Sequence, residues 1–294
     1  ASREYLIRRA KERGLIPEPA TKAILQGEFT PATIDVLNKR FNLGSLNYVV
    51  TEFIAAGIYA VQCETEGIIG NQQLDDMIPI DYIEGLETAR LTQVLIPGED
   101  EEATEAFRVR YLASFSEKSY GGNVTDYLTQ TNSIAGVGST KVTPIWNGGG
   151  TVKLTILDSN FDKATQVLID AIQNEIDPSP QGEGWGIAPI GHIVTVDTVE
   201  EVTIDISATI TFDTGYSWEA LQSQATAILE EYMLELRTDW ASQGSLIVRI
   251  AQIETRLLAI EGIIDISGTS INDDASNLTL TIFQIPVLGS VTVS

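Results

Sequence analysis

The chain has 294 residues, 43% of them apolar and 20% charged, which is enough for two or three compact units with real cores. Eighteen Lys and Arg against 41 Asp and Glu give a formal charge of −23, a balance that repels phosphate backbones and anionic headgroups, so neither nucleic acid nor a membrane is an expected partner. No apolar run reaches the ~18 residues of a membrane span, the opening ASREYLIRRAKERG lacks a signal-peptide core, and the single Cys63 and single His192 exclude an internal disulfide and the usual four-ligand zinc site.

A helix is predicted over residues 1–14, ended by Gly14 with Pro17 and Pro19 behind it. Residues 1–22 carry Arg3, Arg8, Arg9, Lys11, Arg13 and Lys22 against Glu4, Glu12 and Glu18, a basic stub on an acidic body. Arg8 and Arg9 are therefore candidate contacts to an acidic surface, set against the plainer reading of a solvated helix face. Residues 20–97 hold the runs KAILQGEF, RFNLGSLNYVVTEFI, GIYAVQCETEG and TARLTQVLI, rich in β-branched and aromatic residues and separated by Gly, Asn and Pro. They read as a small β-sandwich or barrel-like domain, with Cys63 as a buried hydrophobe.

At Pro97-Gly98 the pattern changes to EDEEATEAFRVRYLASF, where four acids ahead of Arg108 and Arg110 read as a helix start that complements the helix dipole. A short helix, NVTDYLTQTNSI, follows with Asn123 as N-cap. STKVTPIW and TVKLTILD flank a WNGGG turn, and DKATQVLIDAIQNEI has the spacing of a helix, with Asp162 as its cap. HIVTVDTV and EVTIDISATITF are strands. In the second, Val202, Ile204, Ile206, Ala208, Ile210 and Phe212 alternate with polar residues, as in an antiparallel or mixed sheet with one wet face. SWEALQSQATAILEEYMLELRTDW reads as a helix capped by Ser217, SLIVRIAQIETRLLAIEG as another that stops at Gly262, and IIDISGTS, NLTLTIF and IPVLGSVTVS as closing strands. The fold class is α+β: a helical stub at 1–19, a β-rich sandwich-like domain at 20–97, and mixed α+β regions with mainly antiparallel sheets at 98–200 and 201–294.

The stretch most like an active site is GEGWGIAPIGH, residues 182–192. It fails as a dinucleotide fingerprint because a strand pattern follows where a helix belongs, and WNGGGT lacks the G-K-[ST] of a phosphate loop. Both read as turns in which glycine supplies backbone angles other residues avoid. Asp158, Asn160 and Asp162 have calcium-loop spacing, but Lys163 stands where that loop needs Gly and Ile169 where it needs Glu. A catalytic triad would have to use His192, which sits at a strand start without a G-x-S-x-G elbow. No catalytic, cofactor-binding or metal-binding residue is assigned. The candidate interface residues are Trp146, Trp185, Ile187, Trp240, Arg8 and Arg9, with Trp218 set aside as core.

The order EYLIRRAKERG, PATKAILQGEF, RFNLGSLNYVV, GIYAVQCETEGIIGN, PIDYIEGLETA, VLIPGEDEEATEAFRVRYL, YGGNVTDYL, IAGVGSTKVTPIWNGGGTVKLTILD and IDPSPQGEGWGIAPIGHIVTV resembles, over essentially the whole chain, the phage baseplate J family. This is the Mu-type wedge protein of contractile tails, in its branch from phages and prophages of Gram-positive bacteria. The resemblance implies a structural role and no catalytic residues. Two copies of the J-type protein would join one copy of a tail protein I-like subunit in a wedge. Six wedges would close a ring around the hub and tube, holding the sheath initiator and tail fibres, and rearrangement of the ring would trigger contraction. Family members carry a further helical stretch upstream of EYLIRRAKERG that helps bundle these subunits. The resemblance implies assembly in the bacterial host cytoplasm and residence in the baseplate of a phage or tail-like bacteriocin. An envelope-directed carbohydrate hydrolase, with Trp185 stacking on a sugar between two carboxylates, and a receptor-binding tail module are the competing readings.

Overall fold

The structure, a computed structural model, describes residues 2–115 and 121–293, so Tyr120 of YGGNVTDYL and Ser294 of the last strand motif lie outside the described residues. The chain divides into two compact units, one of Ala1–Leu154, Asp158–Asn160 and Ala164–Val196, the other of Thr155–Leu157, Phe161–Lys163 and Asp197–Ser294.

In the first unit, helix α1 (Arg3–Lys11) starts at Ser2, whose side chain accepts from the Tyr5 amide, and buries Leu6 and Ala10 with Phe107 in a small cluster. Six strands follow: β1 (Lys22–Thr30), β2 (Arg40–Leu43), β3 (Leu46–Ala55), β4 (Ile58–Glu66), β5 (Ile78–Pro79) and β6 (Thr88–Ile96). They pair antiparallel in the order β5-β2-β3-β4-β1-β6. The residues leading into β5 then bond to β6: Met77 N–H donates to Ala89 O at 2.8 Å and Leu91 N–H to Asp75 O at 3.0 Å. The β-rich region is thus a closed barrel, one of the two forms, sandwich or barrel-like, expected from its strands. Short strands rolled into one ring bury their apolar faces inside and leave no unpaired edge. Leu25, Phe29, Phe41, Tyr48, Val61, Cys63 and Leu91 fill it, Phe29 lying 5.2 Å from Phe41 and 5.6 Å from Tyr59 between ring centres. Burial pushes the Cys63 thiol pKa up and the Tyr48 hydroxyl to about 12.

Next along the chain come α2 (Thr104–Ala113), α3 (Val124–Asn132), β7 (Val137–Pro144), β8 (Thr151–Asp158), α4 (Gln166–Ile176) and β9 (Ile193–Thr198), with a sheet in the order β7-β8-β9. Asn123 caps α3, accepting from Asp126 N–H at 2.8 Å. Two expectations change. Helix α4 begins at Gln166 with Thr165 as its cap, because Lys163 is held in a β-bridge to Leu157 and the helix cannot start before it; Asp162 instead pairs with Arg237 at 3.2 Å. The acids 99–102 precede α2 rather than starting it, Ala103 takes the cap position, and Glu105 is the acid of its first turn.

The second unit contains β10 (Glu200–Phe212), α5 (Trp218–Asp239), β11 (Ile247–Val248), α6 (Ile250–Leu258), β12 (Ile263–Ile271), β13 (Leu278–Thr279) and β14 (Gln284–Val293). Its main sheet runs β12-β10-β14, with β10 antiparallel to β12 and parallel to β14, so of the antiparallel and mixed sheets that its alternation allows it is the mixed one. Ile204, Ile206, Ala208 and Ile210 pack in one core with Leu221, Leu229 and Met233 of α5 and Ile253 and Leu257 of α6. Ser217 holds the cap position of α5 without a side-chain bond to the backbone. The helix predicted from Ser245 is shorter, because Ile247 and Val248 pair with Thr279 and Leu278 as a two-stranded ribbon.

Candidate interaction surface

The glycine-rich stretch connects α4 to β9, and a network of named groups fixes its path. Gly191 N–H donates to Gly182 O at 2.8 Å and closes the loop at its base, while Ile187 and Ala188 donate to Glu175 O and Ile176 O at 3.2 and 2.8 Å. Those two bonds satisfy carbonyls at the end of α4, which a helix terminus otherwise leaves orphaned. The approach is so close that a Cβ at Gly186 would lie 2.5 Å from Ile176 O, so glycine is required by space. Asp177, 1% exposed, staples the loop to the strand: its carboxylate accepts from Gly182 N–H and Val194 N–H, both at 2.9 Å. Gln173 completes the arrangement, accepting from Val196 N–H at 2.9 Å and donating to Val194 O at 3.1 Å. Side chains from α4 and from the residue that ends it thereby stand in for a neighbouring strand along the outer edge of β9.

His192 is half-buried at the loop's end, its Nδ1 2.8 Å from the Tyr127 hydroxyl and its ring stacked on the Tyr127 ring. Burial first, then the Asp177 and Asp126 charges, pushes the Tyr127 hydroxyl to about 12, so it stays protonated and supplies a hydrogen-bonding partner for the imidazole. The pair fastens the loop to α3. Among the described residues no group of three or more His, Cys, Asp or Glu side chains is arranged to hold a metal ion.

This scaffold presents apolar side chains outward. Trp185 is 76% exposed with its Nε1 donating to Glu183 at 2.9 Å, Ile190 is 82% exposed, and Ile187 and Ile193 are partly exposed. The β7–β8 turn joins them, since Ile193 N–H donates to Gly150 O at 2.9 Å, and it adds Ile145 and Trp146, the latter beneath Lys153 Nζ at 5.6 Å. Ile145 has φ +58°, a left-handed conformation that a β-branched residue rarely adopts, and its side chain is exposed. Of the sequence candidates, Trp146 is exposed on the β7–β8 turn and Trp185 and Ile187 on the glycine-rich loop. Arg8 and Arg9 lie exposed on α1, with Arg9 paired to Glu12 at 3.1 Å. Trp240 is corrected: it is fully buried in the second unit and its Nε1 donates to Ile282 O at 3.0 Å. Its position at the end of a long helix gives the same sequence signal as an exposed aromatic, and only the ribbon segment packed over it decides otherwise.

The acids 99–102 form a second set of fixed contacts that sequence reading assigned to the helix dipole. Glu99 accepts from Gly136 N–H at 2.7 Å, Asp100 from Ile68 N–H at 3.0 Å, Glu101 from Arg3 at 2.6 Å, and Glu102 from Arg110 at 2.6 and 2.9 Å. Glu18, beside Arg110, has its pKa raised because partial burial outweighs the guanidinium's attraction. One four-residue segment thereby ties α1, the barrel, α2 and the turn before β7.

A family model described as the Baseplate J-like central domain matches residues 119–198, and a second, the Baseplate J-like protein C-terminal domain, matches residues 204–294. Over its full length the chain is 34% identical to the Phage-like element PBSX protein XkdT of Bacillus subtilis (strain 168), covering 82% of that protein. The chain belongs to the baseplate J-like family. It is also 33% identical to the Uncharacterized protein YqbT of the same organism, again over all of this chain and 82% of that one. A chain in the cryo-EM structure of the anti-feeding prophage baseplate superposes with a TM-score of 0.47 at 8% identity, covering 98% of this chain and 81% of that one. As a baseplate J-like protein the chain is a structural component of a phage-tail baseplate. No described helix is long and apolar enough to cross a membrane. The central-domain model takes in the whole stapled loop and the β7–β8 turn, and the C-terminal model takes in the mixed sheet and its helices.

Proposed function

We propose that this chain is a non-catalytic subunit of the baseplate wedge of a contractile phage tail or tail-like particle. Two copies join one tail protein I-like subunit, and six such wedges close a ring around the hub, where the chain meets the sheath initiator and carries the attachment of tail fibres. The ring rearranges on attachment and so triggers contraction. Assembly takes place in the host cytoplasm, and the sequence regions 1–19, 20–97, 98–200 and 201–294 act as the successive working parts. The observation that carries this reading is the exposure of Trp185, Ile187 and Ile190 on a loop whose backbone is fixed by Asp177, Gln173 and Gly186, with Ile145 and Trp146 exposed on the β7–β8 turn that is hydrogen-bonded to it. Exposed aromatics on a rigid scaffold suit a permanent protein contact, because little conformational entropy is lost when they are covered. Electron cryo-microscopy of the native particle before and after contraction tests it. Density for this chain in the ring, with Trp185 covered by a neighbouring subunit, is the expected result; a chain located outside the baseplate, or a Trp185 left in solvent within the ring, refutes it.

A further inference from the structure

We propose that Asn147, in the β7–β8 turn, is a site of spontaneous deamidation, a covalent modification that places a new carboxylate beside Trp146. Asn147 alone among the asparagines is followed by glycine. A side chain on the following residue would screen its amide nitrogen, and Gly148 has none. It sits at φ +98°, and a Cβ built there, or on Gly149, meets nothing within 4 Å, so the space around that nitrogen is open. Asn147 is itself exposed. Thr151 holds the backbone on both sides of the Asn147–Gly148 bond, its hydroxyl accepting from Asn147 N–H at 3.0 Å and donating to Gly148 O at 2.7 Å. The Asn147 carboxamide makes no hydrogen bond to the described residues. Other asparagines have theirs committed. Asn71 donates to Gly98 O at 2.9 Å and accepts from Gly98 N–H at 2.8 Å, Asn123 caps α3, and Asn272 donates to Thr203 O at 3.0 Å and accepts from Asp205 N–H at 2.7 Å.

The reaction needs only water. Hydroxide removes the Gly148 amide proton, and the nitrogen attacks Cγ of Asn147. The bond from Cγ to the side-chain nitrogen then breaks, and ammonia leaves with a proton taken from water, closing a five-membered succinimide. Water adds to one of its two carbonyls. Opening between Cγ and the Gly148 nitrogen gives aspartate, and opening between that nitrogen and the main-chain carbonyl gives isoaspartate, whose backbone runs through Cγ. One water is consumed, one ammonia is released, and nothing is oxidised or reduced. Either product puts a negative charge next to Trp146, and isoaspartate also lengthens the turn that Thr151 braces. The consequence rests on the reading of this surface as a protein contact: a carboxylate there must be desolvated when a neighbour covers it, which opposes binding.

The test incubates the full chain in oxygen-18 water at neutral and mildly alkaline pH, with a free peptide of the sequence IWNGGGT beside it, and follows both by peptide mass spectrometry. Residue 147 is expected to become both aspartate and isoaspartate, each carrying one heavy oxygen, at a rate that rises in proportion to hydroxide. Because an exposed turn opens at little cost, the folded chain should convert within about tenfold of the peptide's rate. Asn147→Gln, whose longer side chain would have to close a six-membered ring, should stop the reaction, and peptides holding Asn71, Asn123 and Asn272 should stay unchanged over the same time. A folded chain slower than that limit, or aspartate formed without isoaspartate, overturns the proposal. The same measurement on assembled particles separates it from the wedge reading. Slower conversion there than in the free chain is expected if a neighbour covers the turn; equal rates leave the modification standing and remove the turn from the contact, whereas an unreactive free chain refutes the modification and leaves the wedge reading untouched.

Discussion

The barrel and the C-terminal mixed sheet solve the same problem in opposite ways. Both must bury the apolar face of short strands, and the barrel does so by closing on itself through Met77–Ala89 and Leu91–Asp75, which consumes every strand edge. The C-terminal sheet covers one face with α5 and α6 and leaves β12 and β14 as edges. Between these extremes β9 keeps an edge but has it filled by Asp177 and Gln173. A closed sheet can offer partners only its rim and outer side chains, whereas an open one can also offer backbone hydrogen bonds.

The largest effect should come from emptying the barrel, since its closure depends on a filled interior. Phe41 is fully buried against Phe29, and Phe41→Ala is expected to cost about 3–5 kcal/mol by lost burial and the cavity left behind. Urea denaturation monitored by amide exchange checks this: protection in β1 to β6 should fall first. Equal loss across β10 and β14 at the same denaturant concentration would show that the barrel and the mixed sheet are a single cooperative structure.

Much of this contrast could be read from residue types. The alternation in EVTIDISATITF gives a strand with one wet face, and the structure buries Ile204, Ile206, Ala208 and Ile210 on the other. The glycines of GEGWG were readable as backbone devices, and Gly186 bears this out through its contact with Ile176 O. Long-range pairing was not readable. Barrel closure depends on Asp75–Met77 meeting β6, and nothing in IDYIEGLETA or DDM marks the partner. The acids 99–102 have a composition that suits a helix start equally well, and only the tertiary positions of Ile68, Gly136, Arg3 and Arg110 make them ties. Trp240 carries the same ambiguity, because burial of an aromatic at a helix end depends on a segment about forty residues away in sequence, Ile282.

The next test opens the edge that is filled. Asp177→Ala removes a buried acceptor shared by Gly182 and Val194 and leaves a buried Val194 N–H without a partner, which is expected to cost about 3 kcal/mol. Calorimetry measures the loss, and amide exchange should localise it to residues 182–196. Asp177→Asn keeps one acceptor oxygen and should lose roughly half as much. If the side-chain cap protects β9 from pairing, the Ala variant also aggregates at concentrations where Asn does not, and equal light scattering from the two would remove that part of the comparison.

The smallest expected effect concerns the register of the open sheet. Asp205 on β10 accepts from both the amide and the hydroxyl of Ser290 at 2.7 Å, where the β10–β14 pairing shifts between Ile204 and Ile206. These bonds hold the Asp205 carboxyl below its ordinary 3.8. A depressed folded pKa means that the stabilisation is fully present above that ordinary value and is lost as pH falls through the lower folded one. The barrel has a matching pair, since the Arg40 guanidinium, 2.6 Å from Glu64, holds that carboxyl below 4.5. Acid removes both contacts, but β2 and β4 stay in register because β3 is hydrogen-bonded to each within a closed ring. Strand β14 has no second neighbour among the described residues. Between about pH 6 and pH 2.5, corrected for intrinsic exchange, the Ser290 amide is therefore expected to lose protection while Val49 and Val61 keep theirs, and Asp205→Asn should make Ser290 insensitive to pH over the same interval. Equal loss at Val61 would show that closure gives the barrel no advantage in holding its register.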